Sequence, residues 1–194
     1  MHAGFRVFSF LGVLLAIELL AQQPKPLGAQ LRVHWNGMKV VVTKDGVNHP
    51  FMVDKDIFAY ALHSVKLLSA KASGDFTYLL FDLRGYSRGP DDADKMCGAG
   101  EERSLIWMKL DSAWKKVESQ NFVIESCWDT ATLEDEGAPL SFNGPELVAR
   151  GTTTRDPRKA DTIENRKWMR YEVTYSLTHP EDGLHLSLVP DGHR

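Results

Sequence analysis

The plainest regularity in the chain is a two-residue alternation near its C-terminus. Over residues 170–177, Tyr171, Val173, Tyr175 and Leu177 fall on one side and Arg170, Glu172, Thr174 and Ser176 on the other. Successive side chains of a strand point to opposite faces, so this segment predicts a strand with one buried and one wet face. Turn residues His179-Pro180-Glu181-Asp182-Gly183 follow, and Leu184, Leu186 and Leu188 then alternate with His185 and Ser187. The pattern predicts a C-terminal hairpin.

The same reading extends upstream. Residues 39–43 are a β-branched run ending at the turn Lys44-Asp45-Gly46, and residues 47–53 return as a second strand that Pro50 confines to a sheet edge. Residues 76–83, FTYLLFDL, are apolar on both faces, which predicts a central strand. Residues 105–110 and 117–126 form a hairpin about the turn Asp111-Ser112-Ala113-Trp114, and residues 146–154 form a further strand. Between residues 54 and 72 two patterns compete. Ile57, Ala61, Val65 and Leu68 have helical spacing behind Asp54, whereas Val65, Leu67 and Ser69 alternate with Lys66 and Leu68. The expectation is a short helix near 55–61 and a strand near 64–72 that turns through Ser73-Gly74-Asp75. Residues 85–103 and 129–146 are rich in Gly, Pro and acidic residues and predict the two long loops. Short strands joined by such turns define the fold class: mainly β, an antiparallel sandwich or barrel with one short helix.

The first 21 residues stand apart from this pattern. Arg6 precedes an apolar run from Val7 to Ile17, and Ala21 offers a cleavage site, the layout of a secretory signal peptide. The run is short of the roughly 20 residues a spanning helix needs, and Glu18 interrupts it. Gly28-Ala29-Gln30 offers a second small-residue cleavage site. The chain therefore divides into a signal peptide (1–21), a flexible leader (22–30) and one antiparallel β domain (31–194), with no transmembrane segment expected after cleavage. This organisation implies a secreted or periplasmic protein. The net charge of −3 argues against a nucleic-acid partner, and 43% apolar residues with five tryptophans argue against a disordered chain.

Export changes how the two cysteines are read. An even count in an exported chain predicts a Cys97–Cys127 disulfide. A hairpin turning at 111–114 pairs residues whose numbers sum to about 225, and 97 and 127 sum to 224. The competing roles of a free thiol, in catalysis or metal binding, call for a His partner or further close ligands that the spacing does not supply.

Candidate chemistry is sparse. No phosphate-binding glycine loop, nucleophile elbow, paired-histidine zinc helix or calcium-binding helical loop occurs. His34, His49, His63, His179, His185 and His193 have no spacing that specifies a metal. Asp91, Asp92 and Asp94, with Glu101 or Glu102, form a carboxylate cluster able to offer oxygen ligands to calcium, the one cofactor the sequence suggests. Trp107 is expected in the core. Trp114 in a turn and Trp128 beside Cys127 are expected on the surface, and with Tyr86 they make a candidate binding face. The leading expectation is a non-enzymatic domain that binds an extracytoplasmic protein or cell-envelope glycan through these loops. A hydrolase using Asp91, Asp92, Glu101 or Glu102 as general acid and base is the alternative, and a calcium-stabilised structural domain is a third reading.

Overall fold

The computed structural model describes residues 27–53, 61–86, 101–126, 130–157 and 166–191. In chain order the strands are β1 (Arg32–Asn36), β2 (Lys39–Lys44), β3 (Val47–Met52), β4 (Ala61–Ser73), β5 (Phe76–Tyr86), β6 (Glu101–Leu110), β7 (Lys116–Glu125), β8 (Thr132–Leu133), β9 (Phe142–Asn143), β10 (Glu146–Thr153), β11 (Met169–Ser176) and β12 (His185–Pro190). They form three antiparallel sheets. One has the order β1-β2-β3, a second β4-β5-β6-β7, and a third β12-β11-β10-β8, with β9 also paired to β10. None closes into a barrel, so of the two expected architectures the barrel is excluded.

Local chemistry places the turns. Asp45 and Gly46 have φ of 51° and 81°, the left-handed pair that a two-residue hairpin of type I′ requires. Pro50 falls on β3, an edge strand, where a missing N–H costs no ladder bond.

The middle sheet carries a core on each face. Leu79, Phe81 and Leu83 of β5 join Ile106 and Met108 of β6, and Val40, Val42 and Phe51 of the β1–β3 sheet cover them. Their neighbours Tyr78 and Leu80 point the other way, with Leu105, Trp107 and Phe122, against Leu147, Val173 and Tyr175 of the third sheet. Burial on both sides explains why FTYLLFDL shows no polar face.

Polar contacts pin the middle sheet to the third. Trp107 Nε1–H donates to the carbonyl of Pro180 at 2.9 Å. The Tyr171 hydroxyl donates to the carbonyl of Ile124 at 2.7 Å, and the amide of Leu184 donates to Gln120 Oε1 at 2.7 Å. Tyr171 stands opposite Gly151 in the ladder. A Cβ at Gly151 would lie 2.1 Å from the Thr132 carbonyl and 2.6 Å from the Tyr171 hydroxyl, so glycine alone lets β8 and the phenol close over β10.

Several expectations change. The loop expected over 85–103 loses its ends, because Gly85 and Tyr86 extend β5 and Glu101, Glu102 and Arg103 begin β6. The loop expected over 129–146 contains β8 and β9. Residues 27–30, expected within the flexible leader, form a 3-10 turn beside β4. The helix expected near 55–61 lies almost wholly outside the described residues, and β4 begins at Ala61. Residues 1–21 lie outside them as well. No helix among the described residues is long and apolar enough to cross a membrane.

The disulfide finds no support. Cys97 and Cys127 both lie outside the described residues, and the register that favoured their pairing is different. Two irregularities set extra residues into β7, so the sum of partner numbers is 226 at Leu110↔Lys116 and 228 at Arg103↔Glu125. The open end of the hairpin is thus shifted three positions from a sum of 225.

Candidate functional site

Towards one end of the middle sheet, the inward face changes from apolar to charged. Along β5 the residues facing the third sheet run Tyr78, Leu80, Asp82, Arg84; along β6, in the opposite direction, they run Trp107, Leu105, Arg103, Glu101. Alternation is kept while the chemistry changes.

Arg103 is the centre of this change. It is 1% exposed. Its Nε and Nη2 donate to the two carboxylate oxygens of Asp82, each at 2.8 Å. Nη1 donates to Glu125 Oε2 at 3.2 Å and to the Ala138 carbonyl at 3.0 Å. Glu125 Oε1 in turn accepts the Gly137 N–H at 3.0 Å. Burial disfavours the charged guanidinium, but the hydrogen bonds and charges of Asp82 and Glu125 outweigh it and hold its pKa above the ordinary arginine value. Arg103 and Glu125 therefore grip the turn around Gly137 and Ala138 by an N–H and a carbonyl. That turn is fixed against the middle sheet.

Beside it lies a cleft of about 340 Å³ whose walls include Arg84, Glu101, Glu125, Thr132, Glu136 and Gly137. Glu101 is also 3.5 Å from Arg84 Nη1 and 3.3 Å from His63 Nε2. Tyr86 pairs with Glu101 across the ladder, and its ring packs on His63 with centroids 4.7 Å apart. An exposed phenol, a histidine, an arginine and three carboxylates thus converge at this strand end.

The expected site residues fare differently. Tyr86 is 42% exposed and stands opposite Glu101 in the ladder, and Glu101 lines the cleft. Glu102 is buried and, as the next residue on a strand, faces away from Glu101, so the two cannot offer oxygens to one ion side by side. Trp128, Asp91, Asp92 and Asp94 lie outside the described residues. No group of three His, Cys, Asp or Glu placed to hold a metal ion occurs among the described residues.

Trp114, expected on a surface turn, is 8% exposed and belongs to the core beneath the β1–β3 sheet. Its backbone has φ 60°, and its indole packs 4.9 Å from the His49 ring with Lys44 Nζ 5.1 Å from its centroid. A left-handed turn residue covered by the β2–β3 hairpin cannot serve as an exposed platform.

Asp82, Arg84, Arg103, Glu125 and Glu136 were missed. The first two were visible as charges continuing the parity of Tyr78 and Leu80 in an otherwise apolar strand. Glu125 and Glu136 come to the site only through tertiary contact. No family model, curated protein or solved structure matches the chain.

Proposed function

We propose that this is an exported, non-enzymatic β domain that binds a cell-envelope glycan in the cleft bordered by Arg84, Glu101, Glu125 and Glu136, with Tyr86 opposite Glu101 in the ladder. The observation that carries the reading is the switch of the inward face from apolar to charged before the strands end. Buried charge is costly, and a fold that needed only stability would continue the apolar row. The volume of about 340 Å³ falls within the range of small-ligand sites, roughly 300–1,000 Å³. Charged donors and acceptors beside an exposed aromatic ring suit a hydroxyl-rich ligand with an apolar ring face. On this reading the layered sheets are a sandwich with the cleft at one end, and a signal peptide over residues 1–21 would carry the domain to the cell envelope.

Three carboxylates in one cleft also favour a second reading, a hydrolase acting on the same material. Glu125 is engaged by Arg103 and the Gly137 amide, and Glu101 lies against Arg84, which supports a holding role over a proton-donating one.

Soluble peptidoglycan fragments titrated into the protein test both. Binding that Arg84→Ala, Glu136→Gln and Tyr86→Ala each weaken about tenfold, with the fragments recovered intact, supports the binder. Binding unchanged in all three variants overturns the site. Cleavage lost in Glu136→Gln or Glu101→Gln turns the reading to the hydrolase.

A further inference from the structure

We propose that the protein self-associates through β12, which pairs with the same strand of a second copy about a two-fold axis at Ser187. The strand is the outer member of the third sheet. Its ladder with β11 runs from Thr174↔His185 to Met169↔Pro190, and one step beyond, the Asp191 N–H donates to the Trp168 carbonyl at 3.1 Å. Antiparallel ladders alternate, so residues 191, 189, 187 and 185 turn their backbone groups to β11 and residues 190, 188, 186 and 184 turn theirs outward.

The outward set is blocked at both ends. Pro190 has no N–H, and the Leu184 N–H is taken by Gln120 Oε1 at 2.7 Å. Among the described residues, the N–H and C=O groups of Leu186 and Leu188 have no backbone partner outside the sheet.

Those four groups are self-complementary. With the axis at Ser187, Leu186 of each copy faces Leu188 of the other as a hydrogen-bonded pair, and four N–H···O=C bonds satisfy all four groups on each strand. The same register brings Pro190 opposite Leu184, so the two blocked positions meet each other and the ladder ends there. Side chains agree with the backbone. Leu186 and Leu188 are half-buried at the margin of the core and would extend its apolar row into the second copy, while His185 would face the exposed Val189. The strand contains no Lys, Arg, Asp or Glu, so no like charges oppose one another. Exposed edges usually carry such guards, and this one has only the proline.

A second copy, whose edge has the same two open residues at the same spacing, therefore fits better than an unrelated strand. The contact is short, which makes the expected association weak and concentration-dependent.

Sedimentation velocity of the full chain over a concentration series reaching the millimolar range tests this. A reversible shift from monomer to dimer is expected. Ser187 is exposed and sits on the axis, so Ser187→Lys sets two ammonium groups against each other and should weaken association at least about tenfold without touching the core. Ser187→Cys provides the second arm. Directly opposed residues of a non-hydrogen-bonded pair have Cα atoms about 4.5 Å apart, within disulfide reach, so mild oxidation should cross-link Ser187→Cys far faster than the exposed turn variant Ser112→Cys. A chain that stays monomeric throughout, with Ser187→Cys cross-linking no faster than Ser112→Cys, overturns the proposal. Dimers unaffected by Ser187→Lys overturn it as well, because they would use another surface.

Discussion

The two faces of the middle sheet are held in different ways. Towards the β1–β3 sheet, contact is carried by Val40, Val42, Phe51, Leu79, Phe81, Ile106 and Met108, with Trp114 inserted from the turn and one backbone bond, from the Leu62 N–H to the Gly37 carbonyl at 3.3 Å. Towards the third sheet an apolar core of similar make-up is supplemented by directional bonds: Trp107 to Pro180, Tyr171 to Ile124, Leu184 to Gln120, and the Arg103 cluster to the turn at Ala138. Apolar burial is non-directional and tolerates small shifts between layers, whereas hydrogen bonds fix one alignment. The cleft is built on the more heavily pinned face. Its walls come from both the middle and the third sheets, so its shape depends on their alignment.

The severest way to break this contrast is Arg103→Met. It leaves Asp82 and Glu125 without their cation, and removing one partner from a buried charge network costs about 3–5 kcal/mol. Chemical denaturation should show that loss. Arg103→Met combined with Asp82→Leu should recover part of it, since Glu125 still lacks its cation, while the turn keeps only the Gly137 N–H bond to Glu125 and loses the grip on the Ala138 carbonyl, visible as faster amide exchange around that turn. If the double variant is no more stable than the single, buried charge is not what the network contributes.

Next in size is Gly151→Ala, expected to cost about 2–3 kcal/mol, because the added methyl meets a backbone carbonyl that cannot rotate away. A melting temperature within a degree of the parent would show that β8 and Tyr171 are free to separate from β10, and the seam would then not be fixed.

How much of this could be read in the sequence follows the range of the interactions. The strand over residues 170–177 and the central strand FTYLLFDL were legible because alternation and its absence are local patterns set by burial. The Lys44-Asp45-Gly46 turn was legible because left-handed φ selects its residues. Trp114 was misplaced because a turn position says nothing of another hairpin folding over it. The cystine geometry depended on an unbroken ladder, and the irregularities in β7 that spoil it carry no residue signature. Glu101 was found as part of an acidic run but assigned to a loop. Asp82 and Arg103 lie 21 positions apart, and only the pairing of β5 with β6 joins them.

Tyr171→Phe tests a single pin and adds a pH dependence. Losing the hydroxyl strands the Ile124 carbonyl in a buried site and should cost about 1–2 kcal/mol at neutral pH. Burial, then the nearby Glu125 charge, raises the Tyr171 phenol well above its usual pKa of about 10. The unfolded chain therefore ionises first. The stabilisation is complete below pH 10 and is lost as the pH rises above it towards the folded-state value. Melting temperatures measured on the alkaline side should fall more steeply for the parent than for Tyr171→Phe, and parallel curves would remove Tyr171 as a pin.

The finest comparison lies within one strand, where Trp107 and Met108 are neighbours that point to opposite faces. Met108→Leu conserves volume in a core without directional demands and should cost well under about 1.5 kcal/mol. Trp107→Phe keeps an aromatic ring but deletes the N–H that reaches the Pro180 carbonyl, so it should cost about 1 kcal/mol more than its neighbour. The two also differ in kind. Trp107→Phe should speed amide exchange around residues 180–184, on the third sheet, whereas Met108→Leu should leave that segment unchanged. Equal exchange in both variants would mean that layer alignment is set by packing alone, and the heavily and lightly pinned faces would then be the same kind of interface.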